Sequence, residues 1–229
     1  DFVNLLTSVQ GNLTISNTNT FGLLMATSNN NNYTLNIGGN LTINDNAWFG
    51  IVNGDNIEAT VNVGGNFTMS GASAGTTFFD YYIPTSGTST MRKITMNVAG
   101  NVSQSGGFFD FCYGNSDAAN FPELIIGGNF SFTGGVMQRT SGDGDITNGR
   151  ITFNKSGTQT VFATTPTNLA YTNFVVASTS TTQLLSNIVL YENPTANFAG
   201  NFTVDGILDA GTNQILSSSV AVTGTNNAF

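Results

Sequence analysis

The chain has 229 residues, a net charge of −8, five basic residues and no histidine. That balance excludes the basic footprint of a nucleic-acid binder and the polybasic segment of a membrane anchor, so neither nucleic acid nor direct membrane insertion is expected. Only 8% of residues are charged, while Gly, Asn, Ser and Thr are abundant, a mix that disfavours helices and favours short strands joined by tight turns.

One motif recurs in chain order: "VQGNLTI" (9–15), "IGGNLTI" (37–43), "VGGNFTM" (63–69), "VAGNVSQ" (98–104), "IGGNFSF" (126–132) and "FAGNFTV" (198–204). Its Gly-Asn steps fall at 11, 39, 65, 100, 128 and 200, so the last interval has room for degenerate units. A run such as "YTLNI", "ATVNV" or "ITMNV" leads into the motif and alternates apolar with polar. Period-two alternation marks a half-buried strand, with Leu35, Val61 and Met96 inward and Asn36, Asn62 and Asn97 outward. The run after the corner alternates likewise, with Leu13, Leu41, Phe67, Val102, Phe130 and Phe202 inward. Between the two runs the Gly pairs predict a tight corner with positive φ.

A third run aligns as "FGLL" (21–24), "FGIV" (49–52), "FDYY" (79–82), "FDFC" (109–112) and "MQRT" (137–140). On this alignment Phe21, Phe49, Phe79, Phe109 and Met137 form one column and Gly22, Gly50, Asp80, Asp110 and Gln138 the next. Like residues at like positions on three short runs predict a right-handed parallel β-helix, three strands per coil, with about eight coils stacked in register. A β-sandwich or barrel is the alternative, although neither needs identical columns. In-register stacking also predicts a structural ladder of Asn12, Asn40, Asn66, Asn101, Asn129 and Asn201. A single β-helix segment spanning 1–229 is expected, with regular Gly-Gly-Asn coils over 1–148 and more degenerate ones over 149–229. It begins and ends in mid-pattern, as a piece of a longer polypeptide would, and flanking domains are its expected partners at the open strand edges.

From 149 onward the pieces "ITFNKSGTQTV" (151–161), "YTNFVVA" (171–177), "TQLLSNIVL" (182–190) and "GNFTVDGILDAGTNQI" (200–215) carry a resemblance. They are similar to the β-helical repeat regions of large cell-surface adhesins of Bacteroidota, including gliding-motility adhesins and other type IX secretion substrates. The resemblance implies a secreted, surface-displayed segment acting in adhesion or motility, exported through an outer-membrane translocon.

Two carboxylates stand out. Asp80 and Asp110 follow paired phenylalanines and precede aromatics, and adjacent coils would hold their carboxyls about 5 Å apart, a separation suited to paired acid and base. Tyr81, Tyr82, Tyr113 and Trp48 would give the same face sugar-stacking rings, so Asp80, Asp110 and these aromatics form a candidate ligand-contact face, with surface glycans as partner. Trp48, Phe78 and Phe108 precede the Phe column and either point outward or stack inward at a strand bend. Against catalysis stand the absence of histidine and the single cation, Arg139, on the next rung. The expected function is therefore a non-catalytic spacer or display scaffold. The alternative is a glycan-binding module or polysaccharide-degrading enzyme using the Asp80/Asp110 face. Asp143 and Asp145 in "GDGD" could help ligate Ca²⁺, but two carboxylates supply few of the oxygens it takes, and a plain turn accounts for them. Cys112 is the sole cysteine, read as a small buried hydrophobe, and no cofactor is expected.

Overall fold

The computed structural model describes residues 6–18, 22–26, 31–52, 57–71, 93–110, 122–138, 149–164, 172–189, 201–216 and 222–223. Among these residues every strand pairing is parallel and there is no helix. Sheet A joins β1 (Ser8–Val9), β4 (Tyr33–Ile37), β7 (Ala59–Val63), β9 (Ile94–Val98), β11 (Pro122–Ile126), β13 (Arg150–Phe153), β15 (Asn173–Val176), β18 (Phe202–Val204) and β21 (Val222–Thr223), in that order. Sheet B joins β2 (Leu13–Ile15), β5 (Leu41–Ile43), β8 (Phe67–Met69), β10 (Val102–Asp110), β12 (Phe130–Gln138), β14 (Gly157–Ala163), β16 (Ser180–Leu184) and β19 (Ile207–Asp209). Two small sheets pair β3 (Leu23–Ala26) with β6 (Phe49–Val52), and β17 (Ile188–Val189) with β20 (Ile215–Leu216). Each strand thus meets its counterpart one repeat away, an arrangement compatible with a β-helix or solenoid.

The register follows the sequence columns. In sheet A, Leu35, Val61, Met96, Leu124, Ile151, Phe174 and Phe202 stand in line. All seven are buried, and the outward residues between them are polar in the first rungs, with Ile125 and Val175 as apolar exceptions further along. Burying such a side chain is worth about 1.5–3 kcal/mol, so a column that repeats rung after rung holds the register against a slip that would turn it outward. Phe174 stacks on Phe202 with ring centroids 5.7 Å apart and on Phe153 at 6.0 Å. In sheet B the facing column is Leu13, Leu41, Phe67, Val102, Phe130, Val161 and Leu184.

The corners differ from expectation in their cause. The positive-φ glycines among the described residues are Gly22, Gly107, Gly135, Gly157 and Gly211, and the motif glycines are absent from that group. What requires glycine there is close approach. A Cβ on Gly39, Gly65, Gly100 or Gly128 would sit 2.3–2.5 Å from the side-chain oxygen of the asparagine one rung back. The same oxygen accepts the next corner's backbone N–H, from Asn40 to Asn12, Asn66 to Asn40, Asn101 to Asn66 and Asn129 to Asn101, each at 2.8 Å. The ladder therefore runs from side chain to backbone, and the Gly-Asn pair is one device: the asparagine satisfies a corner N–H, and the glycine leaves room for it.

Asn201 does not belong to this ladder. Phe202 pairs with Phe174 in sheet A, so Asn201 stands at the corner leading into sheet A, where its N–H donates to Asn173 Oδ1 at 2.9 Å. The five-rung ladder instead passes from Asn129 Oδ1 to the N–H of Thr160 at 3.0 Å. Past residue 149 the corner into sheet B is built from other residues. Buried Gln159 accepts from the Lys155 N–H and the Ser180 hydroxyl and donates to Gly128 O. With no Gly-Asn step needed there, the same phrase serves the other corner.

One further reading changes. The pairing of Leu23 with Phe49 and Leu24 with Gly50 shifts the third run by two residues, so Gly22 is not the partner of Gly50. Gly22 is held instead by its φ of 51° and by Trp48, whose Cβ lies 2.5 Å from where its own Cβ would be. Gln104 also interrupts an apolar column, pairing with Met69 and Phe132. It is buried and donates to the carbonyls of Gly107 (3.3 Å) and Val136 (3.0 Å), where the β10–β12 pairing shifts register and Gly107 takes a φ of 71°. A bulge that frees backbone carbonyls inside the core needs a donor beside it, and Gln104 is that donor.

Candidate functional site

The Asp80/Asp110 face divides between described and undescribed segments. Asp80, Tyr81, Tyr82 and Tyr113 lie outside the described residues, as do Cys112, Arg139, Asp143 and Asp145. Asp110 ends β10, where its backbone pairs with that of Gln138, just beyond the buried pair Phe109 and Met137. Trp48 is half-buried, its backbone N–H donating to Thr18 Oγ1 at 2.8 Å and its carbonyl accepting from Leu23 at 2.7 Å. Phe108 is half-buried too. Phe49, Phe109 and Met137 are interior, as the column pattern requires, while Phe21, Phe78 and Phe79 lie outside the described residues.

A charged cluster that sequence reasoning missed lies on the outward side of sheet A. Glu123 stands between Thr95 and Arg150 in the strand register. Its side chain is only 6% exposed, and Oε1 accepts from Arg150 Nε at 2.9 Å and from the Thr152 hydroxyl at 2.7 Å. Oε2 pairs with Lys93 Nζ at 3.3 Å. Burial by itself pushes this carboxyl up, but the hydrogen bonds from Thr152 and Arg150, with the charges of Arg150 and Lys93, outweigh it and hold the group below its ordinary value. Three of the chain's 18 charged residues meet here, which is what a buried charge demands of its surroundings. The only sequence signal was an isolated glutamate in the outward slot of a strand. Its partners are 30 and 27 residues away, at distances that only stacking sets.

A second feature runs along the same sheet. Outward Asn36, Asn62 and Asn97 occupy one register line. Asn62 Nδ2 donates to Asn36 Oδ1 and Asn97 Nδ2 to Asn62 Oδ1, both at 2.8 Å, so this row is a true amide-to-amide ladder. Beside it lie the small corner residues Gly38, Gly64, Ala99 and Gly127, along which runs a groove of about 480 Å³ that ends at Asn154. The sequence placed these asparagines outward; it did not show that they join or that a groove lies beside them.

Tyr33 fixes the first rungs. It is buried, its hydroxyl donates to the Leu6 carbonyl, and burial pushes the phenol up to about 12.

No protein family, no curated protein and no solved structure matches the chain.

Proposed function

We propose that the chain is a non-catalytic structural and adhesive segment of a large bacterial cell-surface protein, a spacer or display scaffold in adhesion or gliding motility. In this reading it is a right-handed parallel β-helix of about eight coils, with flanking domains of the same polypeptide at its ends and an outer-membrane translocon as its export route. The observation that supports it is the repeat-to-repeat parallel register of sheets A and B, carried by shared core columns and the corner Asn ladder. Such a stack lengthens by about 4.8 Å per rung while each rung touches only its neighbours, which suits a rod that holds other parts away from a surface.

Antibodies raised against the purified chain should label intact, unpermeabilised cells that produce it, and beads coated with it should adhere to surfaces those cells colonise. Labelling that appears only after permeabilisation would overturn the surface reading. Turnover of an acidic polysaccharide that Asp80→Asn or Asp110→Asn abolishes would replace it with the enzymatic alternative.

A further inference from the structure

We propose that the groove beside the Asn36–Asn62–Asn97 row binds a neutral, linear polysaccharide lying parallel to the stacking direction, with about one sugar on each rung. This site is built from described residues of sheet A and its corners, and the proposal holds wherever the protein resides.

Hydrogen-bond valence is the first ground. A carboxamide offers two N–H donors and two carbonyl lone pairs. Asn62 spends one donor on Asn36 and one lone pair on Asn97. Amides stacked by translation use the N–H opposite their own carbonyl, so the second N–H of each projects sideways from the ladder. The row therefore presents donors and acceptors that repeat at the rung spacing, about 4.8 Å, close to the length of one pyranose in an extended chain. The ladder also holds the side chains in place before any ligand arrives, which lowers the ordering cost of binding.

Shape and charge narrow the occupant. The groove extends over four corners, Gly38, Gly64, Ala99 and Gly127, and its volume of about 480 Å³ falls within the range of small-ligand sites. No lining residue is charged, in a chain of net charge −8, so uronates, phosphates and nucleic acids find no counter-charge there. An extended peptide is disfavoured by direction. The strands cross beneath the groove and their N–H and C=O groups are already paired to both neighbouring rungs, leaving no sheet edge for strand addition. A neutral chain rich in hydroxyls both donates and accepts, as the amide row does. With no aromatic ring in the lining, binding rests on several rungs together and should depend on length.

The test titrates the intact chain with neutral β-1,4-linked gluco-, manno- and xylo-oligosaccharides of increasing length, following side-chain amide resonances and heats of binding. For at least one series, saturable shifts are expected at the amides of Asn36, Asn62 and Asn97. Affinity should rise until the oligosaccharide is about four units long, one per corner, and then level off. Ala99→Leu, which fills the groove and leaves the ladder intact, should lower affinity about tenfold or more without moving the unfolding midpoint. An oligogalacturonate should bind more weakly than its neutral counterpart. No saturable shift at those three amides with any neutral series would overturn the proposal, and this readout on the unmodified chain stands even if Ala99→Leu folds poorly. Binding untouched by a folded Ala99→Leu variant, or tighter binding of the uronate, would overturn it as well.

Discussion

At the scale of single residues, the Gly-Asn pair is the unit that makes the stack repeat. A Cβ at Gly65 would lie 2.3 Å from Asn40 Oδ1 and 2.9 Å from the Gly39 carbonyl carbon, so the substitution must displace both a ladder oxygen and backbone. Gly65→Ala is expected to destabilise by about 1–3 kcal/mol in urea unfolding, the usual cost of overpacking a close contact. Gly11 occupies the same motif position on the first rung and meets no atom within 4 Å, so Gly11→Ala should stay within about 0.5 kcal/mol of the parent. Equal effects at the two sites would mean that intrinsic glycine propensity, and not rung contact, explains the motif. Glu123 supplies the second prediction at this scale. Its folded pKa is depressed, so its contribution to stability is present above the ordinary carboxylate value and is lost as pH falls through the folded value. The unfolding midpoint should therefore drop on acidification more steeply in the parent than in Glu123→Gln. At neutral pH the variant should lose about 1–3 kcal/mol, less than a fully buried pair would, because Lys93 and Arg150 are 40% and 35% exposed and can rehydrate.

At the scale of elements, β10 and β12 show how a strand pair accommodates an irregularity without breaking the stack. The register shifts between Gln104 and Phe108, and Gly107 and Gly135 take positive φ there. Gln104 answers with two hydrogen bonds to carbonyls around the bulge. Gln104→Leu keeps the size and adds apolar surface, yet it should destabilise by about 1–3 kcal/mol because those carbonyls lose their donor in a buried setting. Stabilisation by the same change would show that the column prefers an apolar rung and that the bulge needs no donor. The bulge also explains why alternation along "VSQSGGFFD" reads poorly: Gln104 is inward though polar, and Phe108 is half-buried next to fully buried Phe109. Polarity there reports the backbone's need, which the strand's own sequence does not display.

At the scale of the whole molecule, stability is distributed as nearest-neighbour terms along two long sheets. Every strand in sheet A except its two end strands is paired on both sides by equivalent strands. In such a stack an internal repeat can be removed if the cut preserves the corner phase. Deleting 38–63, the 26-residue interval between successive ladder asparagines, joins Ile37 to Gly64 and restores β4 to a following Gly-Gly-Asn corner. The deleted chain is expected to keep its β-sheet circular dichroism per residue and to unfold cooperatively with a smaller denaturant slope. Deleting only half that interval should split unfolding into separate transitions, because the mismatched rung at the junction cannot pair in register with both of its neighbours. Retention of cooperative folding by the half-repeat deletion would mean that the rungs do not depend on register.

By itself the sequence determined the period, the inward and outward faces and the parallel in-register pairing of the first repeats. Each of these is written in local alternation, as in "YTLNI" and "ATVNV", and in a phrase that recurs at the corner. Only the tertiary structure decided what depends on the neighbouring rung. It showed that the motif glycines are needed for an asparagine one repeat back and not for positive φ, and that Asn201 serves a different corner from Asn129. It also set the third run two residues out of the obvious alignment, gathered Glu123 with Lys93, Arg150 and Thr152, and joined Asn36, Asn62 and Asn97 beside a groove. The physical reason is one of range. Alternation is fixed by residues two apart along the chain, whereas contact between stacked rungs is fixed by residues about 26 to 35 apart, and a loop of altered length changes that partner without changing the local pattern.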